Sequence, residues 1–300
     1  MVLAVAGNTL LDWRRSMLER GGSASSLDWL LDLQGGVGWQ ELQRLRLSPG
    51  QTVSLRRELA ELEAIWSEHL STQRPLQYLV GICPWRDLDI RVGPGVLIPR
   101  QETELLVEIA REHCPQETSS APLKWADLGT GSGCLALAMA GLYPQSCGYA
   151  VEQSDEAMKQ AAVNLKAPIE EGIVELRQGS WWEPLQDQWG ELQVVLSNPP
   201  YIPTAIWQEL EPVVRDYEPE IALNGGADGL VAIRQIAAGA LQGLAPGGWL
   251  LLEHHHDQSR AVLNLLETTG LEDVDAHLDL EGIARFASGR KPMVNGDLTR

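Results

Sequence analysis

Basic residues are in deficit in this 300-residue chain: 23 Lys and Arg stand against 41 Asp and Glu, a formal net charge of −18. Proteins that grip nucleic acid neutralise its phosphates with Lys and Arg, so this balance argues against nucleic acid as a partner. Arg14, Arg15, Arg56 and Arg57 lie on helical segments, where a solvated charged face is the common explanation. No apolar run approaches the ~20 residues needed to cross a bilayer, so no membrane association is expected. Residues 1–7 carry no basic leader and run straight into Asn8-Thr9-Leu10, which predicts a cytoplasmic protein without a signal peptide. Cysteine is scarce, and Cys83, Cys114, Cys134 and Cys147 show no C-x-x-C spacing, so neither a zinc site nor a disulfide framework is suggested. His254-His255-His256 follows a strand-like stretch whose side chains alternate between faces, which speaks against a metal cluster.

What is present is organised in two parts, as the length itself suggests. Leu10, Leu11, Trp13, Met17 and Leu18, then Leu27, Leu30 and Leu31, recur at helical spacing, and a longer amphipathic stripe runs through Leu59, Leu62, Ile65 and Trp66. Residues 1–73 therefore read as a small all-helical domain. Residues 74–100 read as a linker in which Leu88-Asp89-Ile90-Arg91-Val92 and Val96-Leu97-Ile98 pair as a β-hairpin across Gly93-Pro94-Gly95. From residue 101 to 300 the pattern becomes α/β. Short apolar strands around Trp125, Tyr149, Val174, Val195 and Leu251 alternate with helical stretches, which predicts a mostly parallel sheet covered on both faces. Two last strands, near Val274 and over residues 284–287, are expected to pair as an antiparallel edge.

Three pieces carry chemistry. Asp127-Leu128-Gly129-Thr130-Gly131-Ser132-Gly133 lies between the first of these strands and a helix, where glycines let the backbone turn sharply and approach a nucleotide-like ligand. It lacks the full dinucleotide fingerprint, so a nicotinamide cofactor is the weaker reading. Glu152 ends the second strand about 20 residues further on, where a carboxylate can accept both hydroxyls of a ribose. Ser197-Asn198-Pro199-Pro200-Tyr201 ends the fourth. Two prolines stop the sheet ladder and leave a stiff turn that presents an Asn side chain and bare carbonyls beyond a strand's carboxyl end.

This motif order, with Val96-Leu97-Ile98-Pro99-Arg100, Glu102-Thr103-Glu104, Glu218-Pro219 and Leu223-Asn224-Gly225-Gly226-Ala227-Asp228-Gly229, closely resembles the release-factor glutamine methyltransferase family. The resemblance implies a Rossmann-like, seven-stranded class I methyltransferase sheet that uses S-adenosyl-L-methionine. It implies as substrate the Gly-Gly-Gln glutamine of class I peptide chain release factors, with the helical domain supplying docking surface. It places Asp127, Gly129, Thr130, Gly131, Ser132, Gly133, Glu152, Trp181 and Asn198 at the cofactor, and Asn198, Pro199, Pro200 and Tyr201 at the substrate.

A carboxamide nitrogen is planar and weakly nucleophilic because its lone pair is delocalised. Asn198 Oδ1 and the Pro199 carbonyl can accept its two N–H groups and aim it at a sulfonium methyl, with Tyr201 as an aromatic wall near the cation. Three departures from the family pattern stand out: Ser180 before Trp181-Trp182 in place of an acid, the histidines after Glu253, and Gln101 after Pro99-Arg100. Alternative readings are glutamine methylation of a large-subunit ribosomal protein and methylation of the adenine amine in nucleic acid, which the acidic chain fits poorly. A binding module without catalysis is disfavoured by the intact Asn198-Pro199-Pro200-Tyr201.

Overall fold

The computed structural model describes residues 3–114 and 122–293. The chain divides into two compact units, Met1–Gly81 with Pro212–Tyr217, and Ile82–Glu211 with Glu218–Arg300.

In the smaller unit the helices Gly7–Glu19, Ala24–Leu30, Trp39–Leu47 and Leu59–Thr72 close over a core that includes Leu10, Met17, Leu27, Leu31, Leu45, Leu62 and Trp66. Ser23 caps the second helix through Ser26 N–H at 3.0 Å, satisfying one of the donors a helix start leaves unpaired. Gly22 sits at φ +81°, and a Cβ there would lie 2.5 Å from the Trp66 indole, so the turn needs glycine twice over. The unit is not purely helical. Leu3–Ala6 (β1) pairs antiparallel with Thr52–Leu55 (β2), Val5 opposite Val53, so the apolar start of the chain is a strand. Four residues are too few to show an alternation that sequence could register.

In the larger unit the expected hairpin exists with a different partner. Ile82–Trp85 (β3) pairs with Leu88–Arg91 (β4), Cys83 opposite Ile90, and residues 96–98 form no strand. The Ile98 N–H donates instead to Glu218 Oε2 at 3.0 Å. A side-chain acceptor from 120 residues away supplies what a ladder would have supplied.

Seven strands build the main sheet: Lys124–Leu128 (β5), Cys147–Glu152 (β6), Val174–Gln178 (β7), Leu192–Ser197 (β8), Leu244–Glu253 (β9), Glu272–Leu278 (β10) and Ala284–Arg290 (β11). Their order is β10-β11-β9-β8-β5-β6-β7, parallel from β9 to β7 and antiparallel at β11 and β10. Helices such as Cys134–Leu142 and Val231–Gly243 pack against the strands. Double coverage explains why Trp125, Ala126, Val194, Val195, Leu196, Leu250, Leu251 and Leu252 are all buried without alternation. Trp182 fills a slot against the helix Val231–Gly243, where a Cβ on Gly239 or Gly243 would come within 2.3 or 2.1 Å of its ring.

A similar constraint holds inside the sheet. Trp125 and Gly148 face each other across β5 and β6, and a Cβ on Gly148 would lie 2.1 Å from the Trp125 ring. Gly148→Ala is therefore expected to destabilise the protein by about 1–3 kcal/mol through overpacking. Urea unfolding would measure this, and an unchanged midpoint would mean that the indole can move aside.

Candidate active site

The strand order reverses between β5 and β8: successive strands run outward through β6 and β7 on one side and through β9 on the other. Loops leaving the carboxyl ends of two such strands diverge and open a crevice between them. Register fixes what stands at its mouth. Asp127 is level with Leu196, Leu128 with Val151, and Ser197 with Leu252, so Gly129, Glu152, Asn198 and Glu253 follow side by side. Ser197 Oγ donates to the Leu128 carbonyl at 2.6 Å and locks the two central strand ends together.

On the β5 side the chain turns through Gly129, Gly131 and Gly133 at φ +75°, +56° and +85°, a conformation other residues rarely adopt, and enters the helix Cys134–Leu142. Gly129 and Thr130 both donate their N–H to the Val151 carbonyl at 2.9 Å. The buried Glu152 carboxylate accepts three more backbone donors: Gly131 on Oε2 at 2.9 Å, and Gln153 and Ser154 on Oε1 at 2.8 and 2.9 Å. Asp127 is fully buried behind the loop and accepts Thr130 Oγ1 at 2.6 Å. Burial pushes its carboxyl up to about 7, partly offset by that hydroxyl. Cys134 lines the cleft, but burial raises its thiol to about 12, which rules out a thiolate nucleophile near neutral pH.

On the β8 side the ladder ends at Ser197, as the prolines require. Asn198 Nδ2 donates to Thr103 Oγ1 at 2.9 Å, Thr103 Oγ1 donates to Glu253 Oε2 at 2.7 Å, and Tyr201 Oη donates to Glu253 Oε1 at 3.0 Å. Behind the turn, Gln258 Nε2 donates to the Tyr201 carbonyl at 2.9 Å. Ile202 exchanges backbone hydrogen bonds with Leu223 and Gly225. A Cβ on Gly225 would lie 2.7 Å from the Pro200 carbonyl oxygen, and one on Gly229 would lie 2.2 Å from that of Tyr201, so the glycine-rich stretch is the bed on which the turn rests. Glu218 accepts Ile98 N–H and, at 2.7 Å, Arg100 Nη2, holding the loop over the same cleft.

The family model described as Methyltransferase small domain matches residues 101–209, which contain both the glycine turn and the proline turn. The release factor glutamine methyltransferase of Prochlorococcus marinus is 47% identical over 94% of this chain and 96% of that protein. That of Synechocystis sp. is 37% identical over 95% and 97%, and that of Thermosynechococcus vestitus 41% over 91% and 93%. The chain belongs to the release factor glutamine methyltransferase family. Its fold is also that of the hMettl16 catalytic domain crystallised with the MAT2A 3′UTR hairpin 6, at a TM-score of 0.55 and 13% identity over 82% of this chain and 86% of that one.

In this family member one cleft is bordered by Gly129, Thr130, Gly131, Ser132, Glu152, Trp181, Asn198 and Pro200. Asp127, Gly133, Pro199 and Tyr201 are not on its border; the first two residues shape the loop and the last two the turn. Trp181 and Trp182 divide their work: Trp182 belongs to the core, whereas Trp181, at φ +48°, turns its ring over Gly129 and donates Nε1 to Gln235 at 2.8 Å. A bulky residue in that conformation is strained, which points to a functional constraint on the ring. Thr103 and Glu253 were not singled out from the sequence as site residues. Their only signal was membership of the Glu102-Thr103-Glu104 and Glu253-to-Gln258 segments. Among the described residues no cluster of His, Cys, Asp and Glu is placed to hold a metal. His254 is buried with Nδ1 bonded to the His255 carbonyl, and His255 pairs with Asp257.

Asp127 supplies a pH test of this loop. Its folded carboxyl titrates near 7 rather than at its ordinary 3.8, so the native state binds the proton more tightly than the unfolded chain. That stabilisation is full below pH about 4 and is lost as pH rises through about 7. Asp127→Asn, which keeps an acceptor for Thr130 without the charge, should gain in melting temperature relative to the parent as pH rises across this window and level off above it. A difference that stays flat from pH 4 to 7 would show that the carboxyl is ionised throughout.

Proposed function

We propose that this protein transfers a methyl group from S-adenosylmethionine to the side-chain amide nitrogen of the glutamine in the Gly-Gly-Gln motif of class I peptide chain release factors. The observation that carries the reading is the position of Asn198, half-buried at the switch point on the border of the cleft that the glycine turn also lines, with its Nδ2 committed to Thr103 so that Oδ1 is the amide atom left for a ligand. Relatives known as release factor glutamine methyltransferases support a release-factor glutamine as the substrate. The cleft suits the cosubstrate: glycines admit close approach, Glu152 keeps acceptor capacity for a ribose beyond its three backbone donors, and the Trp181 ring can cover a base.

Bound there, S-adenosylmethionine supplies an electrophilic methyl on a sulfonium. The chain's own residues do the rest. Asn198 Oδ1 and the Pro199 carbonyl accept the two amide N–H groups of the glutamine and hold its nitrogen in line, and acceptors at that place favour the positive charge that grows on nitrogen. No strong base is needed before transfer, because the methylated nitrogen is cationic and gives up its proton to water afterwards. Tyr201, behind the turn, sets the position of the Asn198-Pro199 segment through Glu253. A folded protein fits an acidic chain better than nucleic acid does, and release factors work in the cytoplasm, where we place this enzyme.

Purified protein, S-adenosylmethionine and unmodified release factor, followed by peptide mass spectrometry, should show one methyl on the Gly-Gly-Gln glutamine. Asn198→Ala should lower kcat by about 10²–10³-fold while leaving cosubstrate affinity within about twofold. Labelling of a ribosomal protein or of DNA, with none on the release factor, would reassign the substrate. Glu152→Gln keeps the volume but loses a charged acceptor, so the cosubstrate Kd measured by calorimetry should rise about ten- to a hundredfold. An unchanged Kd would remove Glu152 from the ribose position.

A further inference from the structure

Two buried polar side chains meet behind the proline turn, from segments far apart in sequence. Glu253 ends β9, Thr103 lies just before the helix Glu104–His113, and both are 2% exposed. Together with Asn198 and Tyr201 they form a branched chain of hydrogen bonds at 2.7 to 3.0 Å. Counting protons fixes its direction. A carboxylate only accepts, whereas a threonine or tyrosine hydroxyl has one proton to give. Thr103 gives its proton to Oε2 and Tyr201 gives its proton to Oε1. Thr103 Oγ1 can then only accept from Asn198, so it must meet Nδ2. The opposite amide orientation would set Oδ1 against a second oxygen with no proton between them.

Resting on the proposed reaction, we propose that Glu253 is a positioning residue which, relayed through Thr103, dictates which face of the Asn198 amide is turned to the reacting nitrogen and at the same time holds Tyr201. An amide turned the other way would present two donors to the substrate's own two donors, and the clamp would repel the group it has to hold. The selection is stringent because Thr103 has no second proton and because a polar group left unpaired in this buried place is costly.

The device depends on Glu253 being ionised. Once protonated, one carboxyl oxygen becomes a donor, and either Thr103 or Tyr201 must turn its own proton elsewhere. If Thr103 turns, its proton points at Asn198 and favours the wrong amide face. Burial raises the Glu253 carboxyl to about 7, with the Thr103 and Tyr201 hydroxyls pulling it down. The charges facing it are Glu102, which pushes it up, and Arg285, which pulls it down while paired with Asp279 at 2.7 Å. Arg100 faces Tyr201 from the loop and is bonded to Glu218. The Tyr201 hydroxyl is itself raised well above its ordinary value and keeps its proton. His254, next in the chain, is pushed down by burial and is neutral. His255 pairs with Asp257 beside the Tyr201 ring. Where the proton is taken up on Oε2, the oxygen that faces Thr103, acidification through neutrality releases the amide, and ionisation sets it in the competent orientation.

The test uses the full-length enzyme with three near-isosteric variants: Glu253→Gln, Thr103→Val and Thr103→Ser. Glu253→Gln and Thr103→Val should each lower kcat about tenfold or more while the Kd for S-adenosylmethionine stays within about twofold, and Thr103→Ser should restore the parent rate. The double variant should be no slower than the worse single one, since both changes cut the same relay. The parent's kcat should fall on acidification through about pH 7, and Glu253→Gln should lack that limb. A readout independent of the substrate is the ¹⁵N resonance of the Asn198 side-chain amide, assigned through Asn198→Ala. It should move with the same midpoint in the parent and cease to titrate in Glu253→Gln and Thr103→Val. If the parent methylates the release factor and Thr103→Val matches it in rate and resonance, the relay is overturned. If the parent fails to methylate the release factor while the resonance still titrates, the substrate assignment fails and the relay stands.

Discussion

Everything at the cleft depends on two neighbouring parallel strands ending at the same level without a shared continuation. β5 ends in a glycine turn and β8 in a proline turn, and the Ser197 hydroxyl on the Leu128 carbonyl fastens the two ends. Beyond that bond no ladder exists to satisfy backbone donors, and buried donors must be satisfied somewhere. The fold meets this demand with carboxylates: Glu152 takes three N–H groups of the glycine side, and Glu218 takes Ile98 N–H on the loop above. Structure and chemistry thus draw on the same acid at Glu152, which pins the glycine turn and also borders the cleft with lone pairs to spare.

The charge balance of the site follows. Asp127, Glu152, Glu218 and Glu253 are all buried around one opening, and among the described residues only Glu218 pairs with a cationic side chain, Arg100 at 2.7 Å. Such a set is costly unless hydrogen-bonded, and here each carboxylate accepts bonds from the protein. The resulting field disfavours anions and favours positive charge. A cationic cosubstrate and a transition state that moves positive charge onto nitrogen match it, whereas a phosphate-rich ligand would meet the same field in opposition.

What could be read from the sequence was whatever is local in the chain. Strands buried on both faces appear as unbroken apolar runs, so β5, β6, β8 and β9 were legible, as were the glycine and proline turns that end them. The hairpin was misassigned because Val96-Leu97-Ile98 has the composition of a strand, and only the distant Glu218 shows that its backbone is satisfied otherwise. The ribbon of β1 and β2 was missed because each strand is four residues long and three α-helices lie between them in the chain. Thr103 and Glu253 could not be linked at all: 150 residues separate them, and neither type is unusual where it stands. Sequence carries turns and periodicity well, and carries poorly the side-chain bonds that only a completed sheet brings together.

Tyr201 shows how that difference bears on mechanism. As part of a four-residue motif it reads as a surface of the cleft, an aromatic wall beside a cation. In the folded chain its hydroxyl is spent on Glu253, its carbonyl is held by Gln258, and its backbone lies so close to Gly229 that no side chain fits there. A residue fixed at both ends in this way is better suited to holding the turn than to receiving a ligand. Rigid support matters here because a displacement of the reacting atoms by about 1 Å can cost on the order of 10²-fold in rate. The turn has no ladder of its own, so its precision has to come from behind it. Tyr201, Thr103, Glu253, Gln258 and the glycines of residues 225–229 are what stand there.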